Sequence, residues 1–330
     1  MVRYVVTGAL PEEVLPSLPE GDRWIAGGGD PIPPPELASL VKEADGLLCM
    51  LVDRIDRELL TVAPRLQVVS QLAVGVDNID VAACTARGIP VGHTPGVLTE
   101  TTADTALALL LAVIRRVTEG HELVQGGQWR KWSADLLVGE DLHGSVVGII
   151  GLGRIGTAVA RRLQGFGVRL LYAGPTRKPE LEAQLRIGYR SIEELLGQSD
   201  HVVVCAALTP DSRQVIDRAA LALMKPGASI VNIARGGLID HDALADALRR
   251  GSLGRAALDV TDPEPIPAGH PLLSLANCLI IPHLGSASTR TRIAMARLAV
   301  ENLAAGLRGE RLVACVNPEV YEVESASPSV

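Results

Sequence analysis

The feature of this chain that most restricts its fold is a glycine-rich turn between an apolar strand and a helix. Val146 to Ile150 is a β-branched apolar run, typical of a strand buried on both faces. Gly151, Gly153 and Gly156 follow at G-x-G-x-x-G spacing, and Ile155 to Leu163 has the pattern of a helix. The first glycine permits a tight turn, the second permits close approach of a pyrophosphate, and the third permits close packing of helix on strand. The order strand, turn, helix therefore predicts a dinucleotide-binding βαβ unit.

The rest of the chain continues this alternation of short apolar strands and helical patterns. Such alternation predicts the α/β class with doubly wound parallel sheets. Because a chain of 330 residues is longer than a single hydrophobic core usually supports, we expect two domains. A surface loop is expected at 27–35, where the sequence is G-G-G-D-P-I-P-P-P.

The individual elements follow from the same patterns. Strands of the first unit are predicted at 3–7, 46–50, 67–71 and 89–92, and helices at 37–43, 57–62 and 81–86. One long helix is predicted from Glu100 to Val124, as a bridge between the domains that Gly126 and Gly127 end. Six strands of the second unit are predicted at 146–150, 169–172, 201–205, 229–233, 255–258 and 278–281. A last helix is predicted at 289–307.

Composition excludes several classes of function. The net charge of -7 is mild, basic runs are absent from the sequence and aromatic residues make up 2%, so we expect no nucleic-acid partner. The longest apolar helical pattern, Thr105 to Ile114, is too short to span a bilayer, and the N-terminal sequence is unlike a signal peptide. We therefore expect a cytoplasmic protein without a membrane partner. The cysteines lack C-x-x-C or Cys/His ligand spacing, so reduced thiols and no metal site are expected.

Polar side chains follow three successive strands of the second unit. Arg235 lies in N-I-A-R-G-G, Asp259 and Glu264 lie in A-L-D-V-T-D-P-E-P, and His283 lies in P-H-L-G-S-A. The carboxyl ends of parallel strands meet at one edge of a sheet, where ligands bind. There a guanidinium can bind a carboxylate, and a histidine beside a carboxylate can transfer a proton near neutral pH. Each residue taken alone could also be a solvated loop residue; the combination favours an acid/base site.

These motifs, in this order and spacing, resemble the D-isomer-specific 2-hydroxyacid dehydrogenase family. The resemblance extends over nearly the whole chain. T-P-G-V-L-T-E-T-T-A-D at 94–104 and the sequences around Glu264 and His283 are most similar to the glyoxylate/hydroxypyruvate reductases of animals. The family resemblance implies an NAD(P)-dependent oxidoreductase and a homodimer. It also implies a flavodoxin-like substrate domain, discontinuous over 1–102 and 287–330, and a Rossmann NAD(P)-binding domain over 103–286.

The same resemblance implies roles for particular residues. Arg235 would bind the substrate carboxylate, His283 would be the acid/base and Glu264 would pair with it, with Asp259 behind that pair. The backbone N–H groups of Val74 and Gly75 would also bind the carboxylate. The substrate-binding residues that we predict are Leu51, Val74, Gly75, Arg235 and His283. The cofactor-binding residues that we predict are Thr101, Gly151, Gly153, Arg154, Ile155, Gly156, Gly174, Thr176, Arg177, Lys178, Leu208, Thr209, Ala234, Asp259 and Gly285.

The choice of cofactor depends on the end of the second strand of the glycine-turn unit. An NAD site places an acid there to hold the ribose 2′-OH. Here the sequence is L-Y-A-G-P-T-R-K from Leu171 to Lys178, which has basic residues and lacks an acid. This pattern favours NADPH over NADH, although a solvated basic loop is the alternative. Pro175 departs from the related reductases, in which an arginine follows the strand, so the residue that contacts the 2′-phosphate stays open.

The predicted function is NADPH-dependent reduction of a small 2-oxo acid, glyoxylate or hydroxypyruvate, to glycolate or D-glycerate. Related reductases have a tryptophan near the position of Leu136, and a leucine there would leave a wider substrate site. A larger sugar acid such as 2-keto-D-gluconate is therefore an alternative substrate. A second alternative, from a branch of the same superfamily, is an NADH-sensing, corepressor-like binding protein. The missing acid after the second strand is evidence against that alternative.

Overall fold

The computed structural model describes residues 1–26 and 31–322 and divides the chain into two compact units. Unit 1 comprises Met1–Leu98 and Ser288–Val330, and unit 2 comprises Thr99–Ala287. The loop predicted at 27–35 and the predicted C-terminal segment at 287–330 lie partly outside the described residues. Within those residues, no helix is both long enough and apolar enough to cross a membrane.

Among its described residues, unit 1 contains a parallel sheet of five strands. The strands are β1 (Arg3–Val6), β2 (Asp22–Ile25), β3 (Gly46–Cys49), β4 (Val68–Gln71) and β5 (Val91–Gly92). Their spatial order, β2-β1-β3-β4-β5, is that of flavodoxin-like sheets. The helices are α1 (Pro34–Val41), α2 (Arg57–Val62), α3 (Val81–Ala86) and, after unit 2, α11 (Thr289–Leu307).

Helix α11 packs closely on the sheet of unit 1. A Cβ on Gly306 of this helix would lie 2.4 Å from Val68 Cγ2 of β4, so the helix axis approaches the strand more closely than a side chain would permit. The Ser70 hydroxyl donates a hydrogen bond to the Ala299 carbonyl at 2.7 Å, although 229 residues separate the two in sequence. The C-terminal helix is therefore part of the core of the N-terminal sheet.

Unit 2 contains, among the described residues, a parallel sheet of seven strands. These are β6 (Val146–Ile150), β7 (Arg169–Ala173), β8 (Ile187–Tyr189), β9 (His201–Val204), β10 (Ser229–Asn232), β11 (Arg255–Leu258) and β12 (Cys278–Ile280). The helices are α4 (Thr99–Ile114), α5 (Val117–Gln125), α6 (Arg154–Leu163), α7 (Pro179–Leu185), α8 (Ile192–Gln198), α9 (Arg218–Leu223) and α10 (His241–Arg250). The order β12-β11-β10-β9-β6-β7-β8 reverses between β6 and β9, as in a Rossmann sheet.

The predicted fold class, two doubly wound parallel-sheet domains, is confirmed, but two strands were missed. Strand β2 lies at the edge of its sheet and begins with two exposed polar residues, Asp22 and Arg23, so its sequence lacks an apolar run. Strand β8 at Ile187–Tyr189 is short and contains Gly188, which interrupts the β pattern. The second sheet therefore has one strand more than the six predicted.

The single helix predicted from Glu100 to Val124 was wrong, because the structure has two helices there. Helix α4 ends at Ile114 and α5 begins at Val117. Between them Arg116 has φ 56°, a left-handed conformation that an α-helix cannot contain. The Arg116 guanidinium bonds to Glu119 at 2.6 Å, and Glu119 also pairs with Arg255 at 2.7 Å. Neither a glycine nor a proline stands at this break, so the apolar pattern of the sequence continues through it.

Candidate active site

The glycine turn joins β6 to α6 at the point where the strand order reverses. Gly151 has φ 93°, and a Cβ there would lie 2.6 Å from the Ala206 Cα, in the segment that follows β9. A Cβ on Gly156 would lie 2.1 Å from the Gly151 carbonyl oxygen, so only glycine permits this packing of helix on turn. At Gly153, in contrast, no heavy atom of the described residues apart from those of its chain neighbours and the adjoining helix backbone lies within 4 Å of the Cβ position. Gly151 and Gly156 are thus packed against other backbone, whereas space remains beside Gly153.

The open side of the turn fits a phosphate group. Helix α6 begins at Arg154 with Gly153 as its N-cap, and among the described residues no side chain caps the helix there. The N–H groups of a first helical turn have no partner within the helix and carry the positive end of its dipole. With space at Gly153 and these donors beside it, the residues present fit the pyrophosphate of a dinucleotide.

The basic residues after β7 make two different contacts. The exposed Arg177 guanidinium forms two hydrogen bonds of 2.9 Å to the Glu182 carboxylate of α7. The Lys178 ammonium instead donates to the Leu152 carbonyl at 2.7 Å, which places it against the glycine turn. Gly174 and the exposed Thr176 complete the segment. Glu182, an acid that follows β7 in the sequence, is therefore paired with Arg177.

Arg235 follows β10 in a segment whose backbone is fixed by Asn232. The buried Asn232 amide donates from Nδ2 to the Arg235 carbonyl at 2.8 Å and accepts from the Ala234 N–H at 3.0 Å. The Arg235 guanidinium donates to the Ala234 carbonyl at 2.8 Å. The next residue, Gly236, packs so closely that a Cβ on it would lie 2.0 Å from the Thr261 carbonyl carbon. This contact brings the segment with Arg235 against the segment with Glu264.

His283 and Glu264 form a direct pair. The Nδ1 of His283 lies 2.6 Å from Oε1 of Glu264, the distance of a short, charge-assisted hydrogen bond. The other carboxylate oxygen of Glu264 accepts from the Thr261 N–H at 3.3 Å. The backbone of His283 is left-handed, with φ 52°, which is unusual for a residue with a side chain and typical of functional sites. The side chain of His283 is 26% exposed and that of Glu264 is 41% exposed.

The surroundings of Glu264 favour its charged form. Burial alone would raise the pKa of this carboxyl group, but several interactions act against it and the resulting pKa is lower than usual. These are the hydrogen bond to His283, the charge of that imidazole, the Thr261 N–H and the Arg235 guanidinium. Glu264 is therefore an anion placed beside an imidazole, and Arg235 is close enough to affect the titration of this carboxyl.

Asp259 lies beneath this pair, with 1% of its surface exposed. Its carboxylate accepts the N–H groups of Leu284 at 2.5 Å and Gly285 at 2.9 Å, and its carbonyl accepts the N–H of His283 at 2.8 Å. Burial raises the pKa of Asp259, while the two N–H groups and His283 partly oppose that rise. A Cβ on Gly285 would lie 2.8 Å from the same carboxylate. Asp259 thus holds the loop of His283 in place, and its predicted part in cofactor binding stays a prediction.

The remaining predicted cofactor residues of unit 2 are at the same edge of the sheet. Thr101 lies in the first turn of α4, where its carbonyl accepts the Thr105 hydroxyl, and Thr105 also donates to the Gly285 carbonyl at 3.3 Å. Leu208 and the exposed Thr209 follow β9. Ile155 is half-buried in α6, and Arg154 before it is exposed. Each residue follows the carboxyl end of a strand or begins a helix near it.

The predicted substrate residues of unit 1 lie in two loops at the carboxyl ends of neighbouring strands. Leu51 follows β3, and Val74 and Gly75 follow β4. The Val74 carbonyl lies 3.0 Å from Nδ1 of His93, and the Gly75 carbonyl accepts from Nε2 of Gln71 at 3.3 Å. Hydrogen bonds to their carbonyl groups therefore hold both residues in a fixed loop.

Sequence reasoning missed several residues that support the site. Asn232 begins the very motif that contains Arg235, and a buried asparagine at a strand end could have indicated its role. The His241 ring lies 3.2 Å from the Asp262 carbonyl and so supports the loop of Glu264. Gln71 and Asn78 support the loop of Val74 and Gly75. The sequence by itself has no signal that distinguishes His241, Gln71 or Asn78.

The chain is similar to a known family over most of its length. Residues 107–285 match the family model for the NAD-binding domain of D-isomer specific 2-hydroxyacid dehydrogenases. A mouse protein named glyoxylate reductase/hydroxypyruvate reductase is 44% identical over 319 residues, which cover 94% of this chain and 97% of the mouse protein.

Two solved structures resemble the whole chain. The crystal structure of the TT0316 protein from Thermus thermophilus has a TM-score of 0.89 and 47% identity, and the match covers 96% of this chain and 100% of that one. The second is an NADPH-dependent glyoxylate/hydroxypyruvate reductase from Sinorhizobium meliloti in complex with NADP and malonate. Its TM-score is 0.84 at 32% identity, with 96% of this chain and 97% of that chain covered.

Proposed function

The chain belongs to the D-isomer-specific 2-hydroxyacid dehydrogenase family and is thus an oxidoreductase, and on that premise we propose that it reduces small 2-oxo acids with NADPH. The proposed substrates are glyoxylate and hydroxypyruvate, which give glycolate and D-glycerate. The names of the mouse and Sinorhizobium meliloti relatives support this substrate class. The single observation that carries the proposal is the pair of His283 and Glu264, 2.6 Å apart, with Arg235 beside it.

The reaction transfers one hydride and one proton to the carbonyl group of the substrate. A bound NADPH would supply the hydride for the carbonyl carbon, and the C=O π electrons would then reside on the oxygen. The protein supplies the proton. Because Glu264 accepts from Nδ1 of His283, Nε2 is the ring nitrogen that faces a substrate in the protonated imidazole. Nε2 donates its proton to the developing alkoxide, and the products are the 2-hydroxy acid, NADP⁺ and neutral His283.

Arg235 and Glu264 prepare this step in different ways. The guanidinium of Arg235 binds the substrate carboxylate in a bidentate manner, which fixes the orientation of the adjoining carbonyl. Glu264 stabilises the imidazolium before proton transfer and holds the ring in one orientation. By family resemblance, the N–H groups of Val74 and Gly75 add donors for the same carboxylate.

The cofactor would be held by the glycine turn and by the segment after β7. Gly151, Gly153 and Gly156 with the first turn of α6 would bind the pyrophosphate. Lys178, which already lies against the turn, is the base we assign to the 2′-phosphate, with Arg177 as a second base that is shared with Glu182. NADPH is therefore the proposed cofactor, since no acid ends β7 to bind a ribose 2′-OH.

The experiment that tests the function follows the loss of NADPH absorbance with purified protein. Glyoxylate, hydroxypyruvate and 2-keto-D-gluconate are assayed in parallel, each with NADPH and with NADH. Turnover of the two small acids, with higher kcat/KM for NADPH, supports the proposal. Equal efficiency with both cofactors contradicts the NADPH preference, activity on the sugar acid alone contradicts the substrate, and inactivity with all three contradicts the function.

We also propose a homodimer, which the family resemblance implies. The segment from Val117 to Val138 supports this, because among the described residues none of α5 is buried. The segment exposes six large apolar side chains: Val117, Val124, Trp129, Trp132, Leu136 and Val138. An exposed apolar surface of this kind is typical of a protein–protein contact. Light scattering on the purified protein tests the proposal, and a monomer at micromolar concentration would contradict it.

A further inference from the structure

Two side-chain amides in unit 1 connect the loops that follow β3 and β4. Asn78 donates from Nδ2 to the carbonyl groups of Met50 at 3.2 Å and Asp53 at 2.7 Å, on either side of Leu51. Gln71 donates from Nε2 to Oδ1 of Asn78 at 2.7 Å and to the Gly75 carbonyl at 3.3 Å. Both loops therefore have their backbone fixed by one pair of amides.

The pair uses its full hydrogen-bonding capacity. An amide has two N–H donors, and here the two donors of Asn78 and the two donors of Gln71 each have an acceptor. The remaining acceptor, Oε1 of Gln71, faces the buried Cys49 thiol at 2.9 Å. Because carbonyl groups only accept hydrogen bonds, Nδ2 of Asn78 must face Met50 and Asp53, so the orientation of the amide is determined. Because each N–H donor of the pair has an acceptor, the network restrains the backbone of both loops.

Other contacts hold the same two loops from outside. Asp53 accepts the hydroxyl of Thr7 and the N–H of Met50, the latter at 2.7 Å, which ties the loop after β3 to the end of β1. On the far side of the loop after β4, Nδ1 of His93 lies 3.0 Å from the Val74 carbonyl. The amide pair is the part of this network that joins the two loops to each other.

We propose that Asn78, held by Gln71, is a positioning residue that sets the loops of Leu51 and of Val74–Gly75 in register for the substrate carboxylate. The inference rests on the proposed function, because that function assigns these three residues to the substrate. The two amides are neutral, so they hold the backbone of both loops without adding a charge there. A displacement of about 1 Å in such groups reduces catalytic efficiency by about 10²-fold.

The test replaces Asn78 by its isosteric acid. In Asn78→Asp the acceptor for Gln71 is kept, but the two donors are replaced by an oxygen that faces two carbonyl groups. We expect KM for glyoxylate to rise about tenfold or more and the inhibition constant of oxamate, a non-reducible isostere of a 2-oxo acid, to rise in parallel. The Kd of NADPH, measured by fluorescence titration, stays within about twofold.

The chain offers a matched control in Asn277. Its Nδ2 also donates to two backbone carbonyl groups, those of Leu248 at 3.3 Å and Gly254 at 3.0 Å, but at the amino end of β12. Asn277→Asp thus makes the same chemical change and is expected to lower the unfolding midpoint without changing KM. If Asn78→Asp behaves like Asn277→Asp, the role of Asn78 is only structural and the inference is overturned.

A second variant covers the case in which Asn78→Asp does not fold. His93→Leu removes the contact to the Val74 carbonyl without placing a charge beside a carbonyl group, and it is expected to raise KM about threefold to tenfold. Unchanged KM in the folded variants overturns the inference. Failure of the wild-type protein to reduce any 2-oxo acid would instead overturn the proposed function, so the two failures are distinguishable.

Discussion

The two sheets of this chain have the same architecture but different chemistry beyond their carboxyl ends. In unit 1 the neutral amides of Gln71 and Asn78 join the loops after β3 and β4, and the buried carboxylate of Asp53 also holds the loop after β3. In unit 2 the corresponding ends carry ionisable side chains, with Arg235 after β10, Asp259 and Glu264 after β11, and His283 after β12. One fold therefore carries two loops joined by amides at the end of one sheet and a set of ionisable side chains at the end of the other.

In the proposed function, the loops of unit 1 bind the substrate and the ionisable side chains of unit 2 carry out the proton transfer. Neutral hydrogen bonds hold a loop in one conformation at any pH near neutrality, which suits a surface that only positions a substrate. Proton transfer requires groups that change charge, and these need partners to control their titration. Glu264, the partner of His283, has its pKa lowered by His283, Thr261 and Arg235 and so is held as an anion. The predictions below separate these two roles.

The largest effect is expected for His283→Ala, which removes the proton donor. We expect kcat to fall about 10²- to 10⁴-fold, because general acid catalysis contributes about that much. The Kd of NADPH should stay near that of the wild type in a fluorescence titration. His143→Ala, which changes an exposed histidine of the same unit, is the control and should be fully active. Near-normal activity of His283→Ala would refute the acid/base assignment and with it the contrast between the units.

The next effect is expected for Gly236→Ala, which separates the segments of Arg235 and Glu264. A Cβ there would lie 2.0 Å from backbone of Thr261, so the two segments must move apart. We expect kcat/KM to fall by about 10²-fold and the free energy of unfolding to fall by about 1–3 kcal/mol. Gly165→Ala is the matched control, since among the described residues beyond its chain neighbours and its own helical turn no heavy atom lies within 4 Å of that Cβ position. Equal kcat/KM and equal stability of Gly236→Ala and Gly165→Ala would contradict the close packing of Gly236 on Thr261.

A smaller effect is expected for Glu264→Gln, which keeps the shape of the pair and removes its charge. We expect kcat/KM to fall about tenfold, the equivalent of about 1.4 kcal/mol in the barrier. The folded-state pKa of Glu264 is lowered, so its stabilising contribution is present above the usual value of 4.5 and is lost as the pH falls through the lowered pKa. The difference in unfolding free energy between wild type and variant should accordingly be larger at pH 7 than below pH 4. Urea titrations at both pH values measure this difference in unfolding free energy. A difference that grows on acidification would contradict the lowered pKa of Glu264.

The smallest effect is expected for Glu182→Gln, which releases Arg177. The Arg177 guanidinium donates three hydrogen bonds to the Glu182 carboxylate. Without that carboxylate, the ratio of kcat/KM for NADPH to that for NADH should rise about threefold, since exposed ion pairs have modest energies. Glu180→Gln changes an exposed acid of the same helix and serves as the control. A ratio that falls in Glu182→Gln would mean that Glu182 itself supports NADPH binding.

Much of this protein could be predicted from the sequence because short-range patterns encode it. Apolar runs at β6, β9 and β10 indicated the strands, and the spacing of Gly151, Gly153 and Gly156 indicated the turn. The family and the fold class were also predicted and are confirmed. Such features depend on residues adjacent in the chain, so a single sequence contains them.

Strand β8 and the break at Arg116 could not be predicted in this way. Ile187–Tyr189 forms a strand because β7 offers it an edge to pair with, although its own sequence is a weak β pattern. Arg116 interrupts the helix, and its partner Glu119 also pairs with Arg255, which lies in a distant strand. In both cases a partner is far away in sequence.

The sequence by itself determined which residue types stand after which strands, and so it identified Arg235, Glu264 and His283 as candidates. Only the tertiary structure decided that Nδ1 of His283 faces Glu264 across 19 residues of chain, and that Asn78 joins two loops. The physical reason is the range of the interactions. Strand and turn propensities act over a few neighbouring residues, whereas hydrogen-bond geometry depends on distances between side chains that only the packed chain brings together.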